Sequence, residues 1–252
     1  MNRRGENHQL IGDLEAGHGP FVFCCEHAGK TLLDVQPTLS DRTLLDDHWG
    51  SDIGAAAVTE SLARQTRSVG ILGVLSRLWI DLNRVENSET LIVEACDGVS
   101  VSFNQGLDDT QRQDRITRHH APYHRALDAL IAHQQVHGPV HLVSIHSFTP
   151  VWHGVPREVE VGVLFDEETP AVHAVAAALA AEGFATELNA PYSGQDGDLI
   201  YSAMLHGKRA GIPYLELEIR QDLIRTAESA EEVASRIARA LAAFRPEGTP
   251  GF

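Results

Sequence analysis

Two segments of the chain bring a histidine to the end of an apolar run. In PFVFCCEHAGK, residues 20 to 25 are apolar and lead into Glu26, His27 and a small Ala-Gly pair, which reads as a buried strand opening into a loop at its carboxyl end. In VHLVSIHSF, residues 140 to 145 form a second such run that ends on His146, flanked by Ser144 and Ser147. Neutral imidazole is a common metal ligand and a proton carrier near pH 7, and 14 histidines in 252 residues is a high count. A single strand-end histidine is as often structural, but two can share one ion. Zinc hydrolases use about three protein ligands and keep one position open for water, so a carboxylate should complete the set. The candidates are Asp46, Asp47 and Asp52 in LLDDHWGSDIGA, together with Glu26. Asp52 is favoured, at the start of an Ala-rich helix, where plain capping by Ser51 or Asp52 is the alternative. Glu26 is less suited because adjacent strand residues point to opposite faces.

Two further segments supply charge. SRLWIDLNR carries Arg77, Asp81, Asn83 and Arg84; arginine offers a permanently charged planar fork that binds a carboxylate bidentately, and an exposed Asp-Arg pair is the plainer reading. In YLELEIR, alternation puts Glu216, Glu218 and Arg220 on one face and Leu215, Leu217 and Ile219 on the other. A carboxylate beside an activated water can take its proton and return it to a leaving amine, while a Glu218–Arg220 pair is the structural alternative.

The run of Arg77, Asp81, Asn83 and Arg84, R-x-x-[aromatic]-x-D-L-N-R, resembles the signature of N-formylglutamate amidohydrolases and of the aspartoacylase branch of zinc-carboxypeptidase-like proteins. The resemblance spans nearly the whole chain, from CEHAG to EIRQDL, with the motifs in the same order. It implies a phosphorylase/hydrolase-like α/β fold and a hydrolase acting on linear amide bonds. One zinc ion, or another divalent metal, would be held by His27, Asp52 and His146. Glu218 would be the general base, with Glu216 its rival, and Arg77 would stabilise the oxyanion. Asn83 and Arg84 would grip a substrate carboxylate, Arg220 would add to that binding, and His120, Tyr123, Tyr192 and Ser193 would line the pocket. Tyr201 and His206 are further candidate contacts. The implied substrate is a small N-acyl amino acid such as N-formylglutamate. Rival readings are a deacylase of another N-acyl amino acid or formamide, and a non-catalytic binder of a carboxylated small molecule. The chain departs from the pattern in two places: Lys30 stands where a peptidase H-x-x-E motif would place its glutamate, and Glu26 precedes His27 where the histidine-degrading members carry proline.

Elements that could position these residues alternate along the chain. Strands are expected at residues 20–25, 69–75, 79–83, 140–145, 159–165 and 214–220, and helices at 52–64, 119–134, 170–183 and 229–244. Such alternation implies one α/β domain over residues 1–252, a mixed, mostly parallel sheet with helices on both faces, and loose ends at 1–15 and 246–252. The apolar fraction of 43% is ordinary for a soluble domain and no stretch reaches membrane-spanning length. A net charge of −15 without a basic cluster opposes nucleic-acid binding. Three cysteines form no disulfide framework, and the first residues lack an apolar secretory core, so a cytoplasmic location is expected.

Overall fold

The computed structural model describes residues 3–4, 7–195 and 199–244. Its strands in chain order are β1 (Arg3–Arg4), β2 (His8–Ile11), β3 (Phe21–Cys25), β4 (Val69–Gly73), β5 (Ala95–Cys96), β6 (Val99–Ser100), β7 (His141–Phe148), β8 (Val151–Trp152), β9 (Val155–Pro156), β10 (Val161–Leu164), β11 (Thr186–Leu188) and β12 (Tyr214–Arg220). Eight of them form one mixed sheet in the order β1-β2-β4-β3-β7-β12-β10-β11, and β5–β6 and β8–β9 are separate hairpins. The central strands β4, β3, β7 and β12 run parallel. The helices are α1 (Leu39–Asp46), α2 (Ala55–Gln65), α3 (Asp109–Arg115), α4 (Ala121–Gln135), α5 (Pro170–Ala181), α6 (Tyr201–Ala210) and α7 (Ala227–Ala240). The single α/β domain with a mixed sheet is therefore as expected. From β3 the chain forms β4 on one side and then crosses to β7 on the other. Open α/β sheets bind ligands at the carboxyl ends of their strands where the strand order reverses, and here that point lies between β3 and β7.

Strand alternation divides the two faces. Phe21, Phe23 and Cys25 of β3, Val143 and Ile145 of β7, and Leu215, Leu217 and Ile219 of β12 pack with α2, α5 and α7. Val22, Cys24 and Leu142 pack on the other face, with α4. On that second face the register sets Glu216 beside Ser144 and Glu218 beside His146. Burying Leu215, Leu217 and Ile219 is worth ~1.5–3 kcal/mol each. A one-residue slip of β12 would turn those side chains onto the polar row and the glutamates into the apolar face, so the apolar face holds the polar one in register.

Four elements differ from expectation. Residues 79–83 are not a strand: Trp79 N–H donates to the Ser76 carbonyl in a turn, and Asp81 N–H to the Leu91 carbonyl, so the chain folds back on itself there. Helix α2 starts after Gly54, at φ 84 and without a side-chain cap, so Asp52 is not spent on capping. Residues 201–210, which fall outside the expected strands and helices, form α6, which ends at Gly211 in the left-handed region. Residues 8–11, expected loose, form β2, which pairs with β4; the expected loose tail at 246–252 lies outside the described residues. Among the described residues no helix is long and apolar enough to cross a membrane.

Gly29, two residues after His27, lies so close to the next strand connection that a Cβ would stand 2.2 Å from the Val74 carbonyl oxygen. Backbone cannot yield as a flexible side chain can. Gly29→Ala is expected to lower unfolding stability by about 1–3 kcal/mol, measured by urea denaturation, and an unchanged midpoint would contradict this packing.

Candidate active site

His27 follows β3, and Asp52 N–H ties it in place by donating to the His27 carbonyl at 2.9 Å. His27 Nε2 donates to Asp81 Oδ1 at 2.6 Å. The other ring nitrogen, Nδ1, is buried without a hydrogen-bond partner and lies 3.5 Å from Asp52 Oδ2. The same oxygen accepts from His146 Nδ1 at 2.8 Å and from Ser147 N–H at 3.2 Å. His146 Nε2 faces Glu26 Oε2 at 3.1 Å and Glu216 Oε2 at 3.5 Å. Each imidazole thus has a carboxylate behind Nε2 and turns Nδ1 toward Asp52.

That arrangement fits a divalent ion. A buried ring nitrogen without a partner needs an explanation, and metal-bound histidines characteristically donate from their second nitrogen to a carboxylate. His27, Asp52 and His146 offer ligand atoms within 4.8 Å of one another, a spacing compatible with bonds of about 2.0–2.2 Å to a shared ion. A second group, His146 with Glu216 and Glu218, meets the same distance, but its imidazole nitrogen already faces Glu26 and Glu216. Of the other candidate ligands, Asp46 is exposed and paired with Lys30 at 2.6 Å, and Asp47 bonds His48 at 2.8 Å. Glu26 stands behind His146, where it accepts from Tyr123 Oη at 3.0 Å and Ser144 Oγ at 2.8 Å.

The buried carboxylates separate into two kinds. Burial favours protonating Asp52, but His27 and His146 outweigh it and hold the carboxyl well below its ordinary range. Glu26 is likewise held low, against burial, by His146 and by neighbouring serines. Burial pushes Glu216 up to about 7, with the Glu26 charge adding and His146 opposing. Burial raises Glu218 well above the carboxylate range, and the charges of Asp52 and Glu216 reinforce it. Glu218 Oε2 is buried without a hydrogen-bond partner. Burial would lower His146, but Glu216, Asp52 and Glu26 raise it well above its ordinary value, so an ion at Nδ1 would displace a proton.

A cavity of about 280 Å³ opens over these groups, lined by His27, Asp52, His146, Glu216, Glu218, Arg77 and Arg84 among others. Arg77 Nη2 donates to Asp81 Oδ2 at 2.9 Å, and Nη1 lies 3.5 Å from Asp52 Oδ1. Arg84 is braced by its Nη1 bond to the Asn83 carbonyl at 2.7 Å and its Nε bond to Thr90 Oγ1 at 3.2 Å. Tyr192 also lines the cavity.

The remaining expected contacts are engaged by other partners in the fold. Asn83 borders the cavity, but its amide donates to the Leu199 carbonyl at 2.9 Å and Glu216 Oε2 at 3.2 Å, and accepts from Ser202 N–H at 2.9 Å. Tyr123, His120, Ser193 and Arg220 are not among the cavity-lining residues. Tyr123 lies under the sheet against Glu26. His120 Nε2 donates to the Arg84 carbonyl at 2.8 Å. Ser193 Oγ accepts from Gln195 N–H at 3.1 Å, and Arg220 pairs with Asp222 at 2.8 Å beyond the end of β12. His206 belongs to a buried chain in which His124 bridges His120 at 3.2 Å and His206 at 2.8 Å, and His206 reaches Asp128 at 2.6 Å. Tyr201 packs its ring against His120.

Sequence reading missed two features. One is Asp81 as the partner of His27, a contact across 54 positions that no local pattern encodes. The other is the aromatic wall of Trp49, Phe148 and Trp152; its available signal was tryptophan beside histidine in polar loops, at His48-Trp49 and Trp152-His153.

A family model described as N-formylglutamate amidohydrolase matches residues 19–225. Among solved structures, the chain is similar to a gene product of Agrobacterium tumefaciens, at 29% identity and TM-score 0.85, with 95% of each chain covered. It is also similar in fold to an N-formylglutamate amidohydrolase from Ralstonia eutropha JMP134, at 20% identity and TM-score 0.72, covering 94% of this chain and 96% of that one. Comparison with proteins of curated function finds no match. With motifs, fold and a match over most of its length in agreement, the chain belongs to the N-formylglutamate amidohydrolase family.

Proposed function

We propose that the protein is a zinc-dependent amidohydrolase that removes a formyl or other small acyl group from the nitrogen of an amino acid. The observation that carries this reading is that His27 Nδ1 and Glu218 Oε2, on one cavity, are both buried without a hydrogen-bond partner, as is His48 Nε2. His27, Asp52 and His146 would hold the ion; zinc suits these nitrogen and oxygen donors, and other divalent ions accept the same set. Once bound, the ion would lower the pKa of a water and polarise the acyl oxygen.

Glu218 would take a proton from the attacking water as the water oxygen adds to the acyl carbon, and return it to the amine nitrogen as the C–N bond breaks. The products are a carboxylic acid, formate for a formyl substrate, and the free amino acid. The burial that raises Glu218 suits a group that must hold a proton between these two steps. Arg84 would bind the carboxylate of the amino acid, with its guanidinium already oriented by Thr90 and the Asn83 carbonyl. Arg77, beside Asp52, would stabilise the developing oxyanion. Glu216, bonded by Asn83 and facing His146 Nε2, would orient the imidazole rather than act on substrate. Three free, buried cysteines and a charge of −15 support a reducing compartment and a small-molecule partner.

Chelation of the metal should abolish formate release from N-formyl amino acids, and added zinc should restore it. Glu218→Gln should lower kcat by ~10²–10⁴-fold with zinc content unchanged; full activity in this variant would overturn the assignment of the base. Arg84→Ala should raise KM more than it lowers kcat, and Arg84→Lys should recover only part of the loss because it cannot reproduce the bidentate fork.

A further inference from the structure

The cavity is chemically two-sided. Its ion-binding side carries four carboxylates, Asp52, Asp81, Glu216 and Glu218, against two arginines. Arg77 is already engaged by Asp81 at 2.9 Å and Asp52 at 3.5 Å. No lysine is among the described lining residues, so Arg84 is the lining arginine left to take a substrate carboxylate.

Another part of the lining is largely apolar and aromatic, with His48 and Thr149 among it. Trp49, from the loop between α1 and α2, and Trp152, from β8, come within 6.0 Å between ring centroids. Phe148, Leu164 and Tyr192 continue that wall. Arg157 stands behind it rather than in it: its guanidinium lies 5.4 Å from the Phe148 ring, 5.3 Å from Trp152 and 5.2 Å from Tyr192. Its donors go to the Thr149 carbonyl and hydroxyl, each at 3.2 Å, and to Tyr192 Oη at 3.3 Å. Arg157 therefore braces the aromatic rings without being among the lining residues. Trp49 and Trp152 are both only half-buried, leaving indole surface at the cavity for a ligand to cover.

We infer that the amino acid half of the substrate carries an apolar, preferably aromatic, side chain seated against Trp49 and Trp152, while Arg84 holds its single carboxylate. A second carboxylate, as in glutamate, would lie largely against indole and phenyl surface, where His48, Thr149 and Tyr192 are the polar residues and no lysine or further arginine is among the described lining residues, and would add a charge to a cavity already rich in carboxylates. This inference rests on the N-acyl amino acid reading given above and narrows it.

The test compares kcat/KM of the zinc-loaded protein for N-formylphenylalanine, N-formylleucine, N-formylglycine and N-formylglutamate, and follows binding of the same compounds to Glu218→Gln by quenching of tryptophan fluorescence. Phenylalanine is expected to exceed glutamate by at least ~10-fold in kcat/KM, and Trp152→Ala is expected to reduce the phenylalanine-to-glycine ratio by a similar factor. A preference for glutamate, or a phenylalanine-to-glycine ratio that Trp152→Ala leaves unchanged, would overturn the inference while leaving the amidohydrolase reading intact. Selective binding of the phenylalanine compound without turnover of any compound by the zinc-loaded protein would support the ligand class and remove the proposed reaction. No binding by any compound would overturn the inference itself.

Discussion

A carboxylate behind each of two imidazoles is the constraint on which the centre of this molecule depends. Asp81 fixes His27 through Nε2, and Glu26 stands behind Nε2 of His146; both rings are thereby turned so that Nδ1 faces Asp52. Ring orientation set by the second nitrogen is how proteins prepare histidine for metal coordination. Placing these charges inside a fold is expensive unless every group has a partner, and nearly all do: Tyr123, Ser144, Asn83 and Ser147 each supply a donor to one of the carboxylates. Within this cluster of carboxylates and imidazoles, His27 Nδ1 and Glu218 Oε2 are buried without a hydrogen-bond partner.

The turn over residues 77–84 serves several needs at once. Asp81 holds His27 and Arg77, and Asn83 ties the turn to α6 and to Glu216 of β12. Its last residue offers a guanidinium to the cavity while its carbonyl is held by His120, at the end of the histidine chain from Asp128. The D-L-N-R motif is thus as much a structural joint as a binding element. Its framework role also explains why His120 and Tyr123, outside the cavity, belong to the same motif set: one fixes the backbone of Arg84 and the other fixes Glu26.

Much of this was legible in the residues themselves. Apolar runs located β3, β7 and β12, and strict alternation in β12 put Glu216 and Glu218 on one face with the leucines on the other. His27, Asp52 and His146 are brought together by the structure from three separate segments. Legibility failed where a partner lies far along the chain or where polarity misleads. WIDLN is apolar enough for a strand but bends to carry Asp81 beneath His27. Residues 201–210 bury Ser202, Ala203, His206 and Gly207, polar or small residues that no apolar pattern marks as the inner face of α6. The family resemblance assigns Asn83 to the substrate carboxylate; in the structure its amide is engaged by Leu199, Glu216 and Ser202.

The central claim is that His27, Asp52 and His146 form one metal site through the Nδ1 atoms of both imidazoles. Anomalous diffraction at the zinc absorption edge from crystals of the zinc-loaded protein tests it most directly. The account predicts a single strong peak bonded to His27 Nδ1, His146 Nδ1 and an Asp52 oxygen, with Asp81 and Glu26 still bonded to the opposite ring nitrogens. A peak between His146 Nε2, Glu216 and Glu218, or no peak in the cavity, would contradict it.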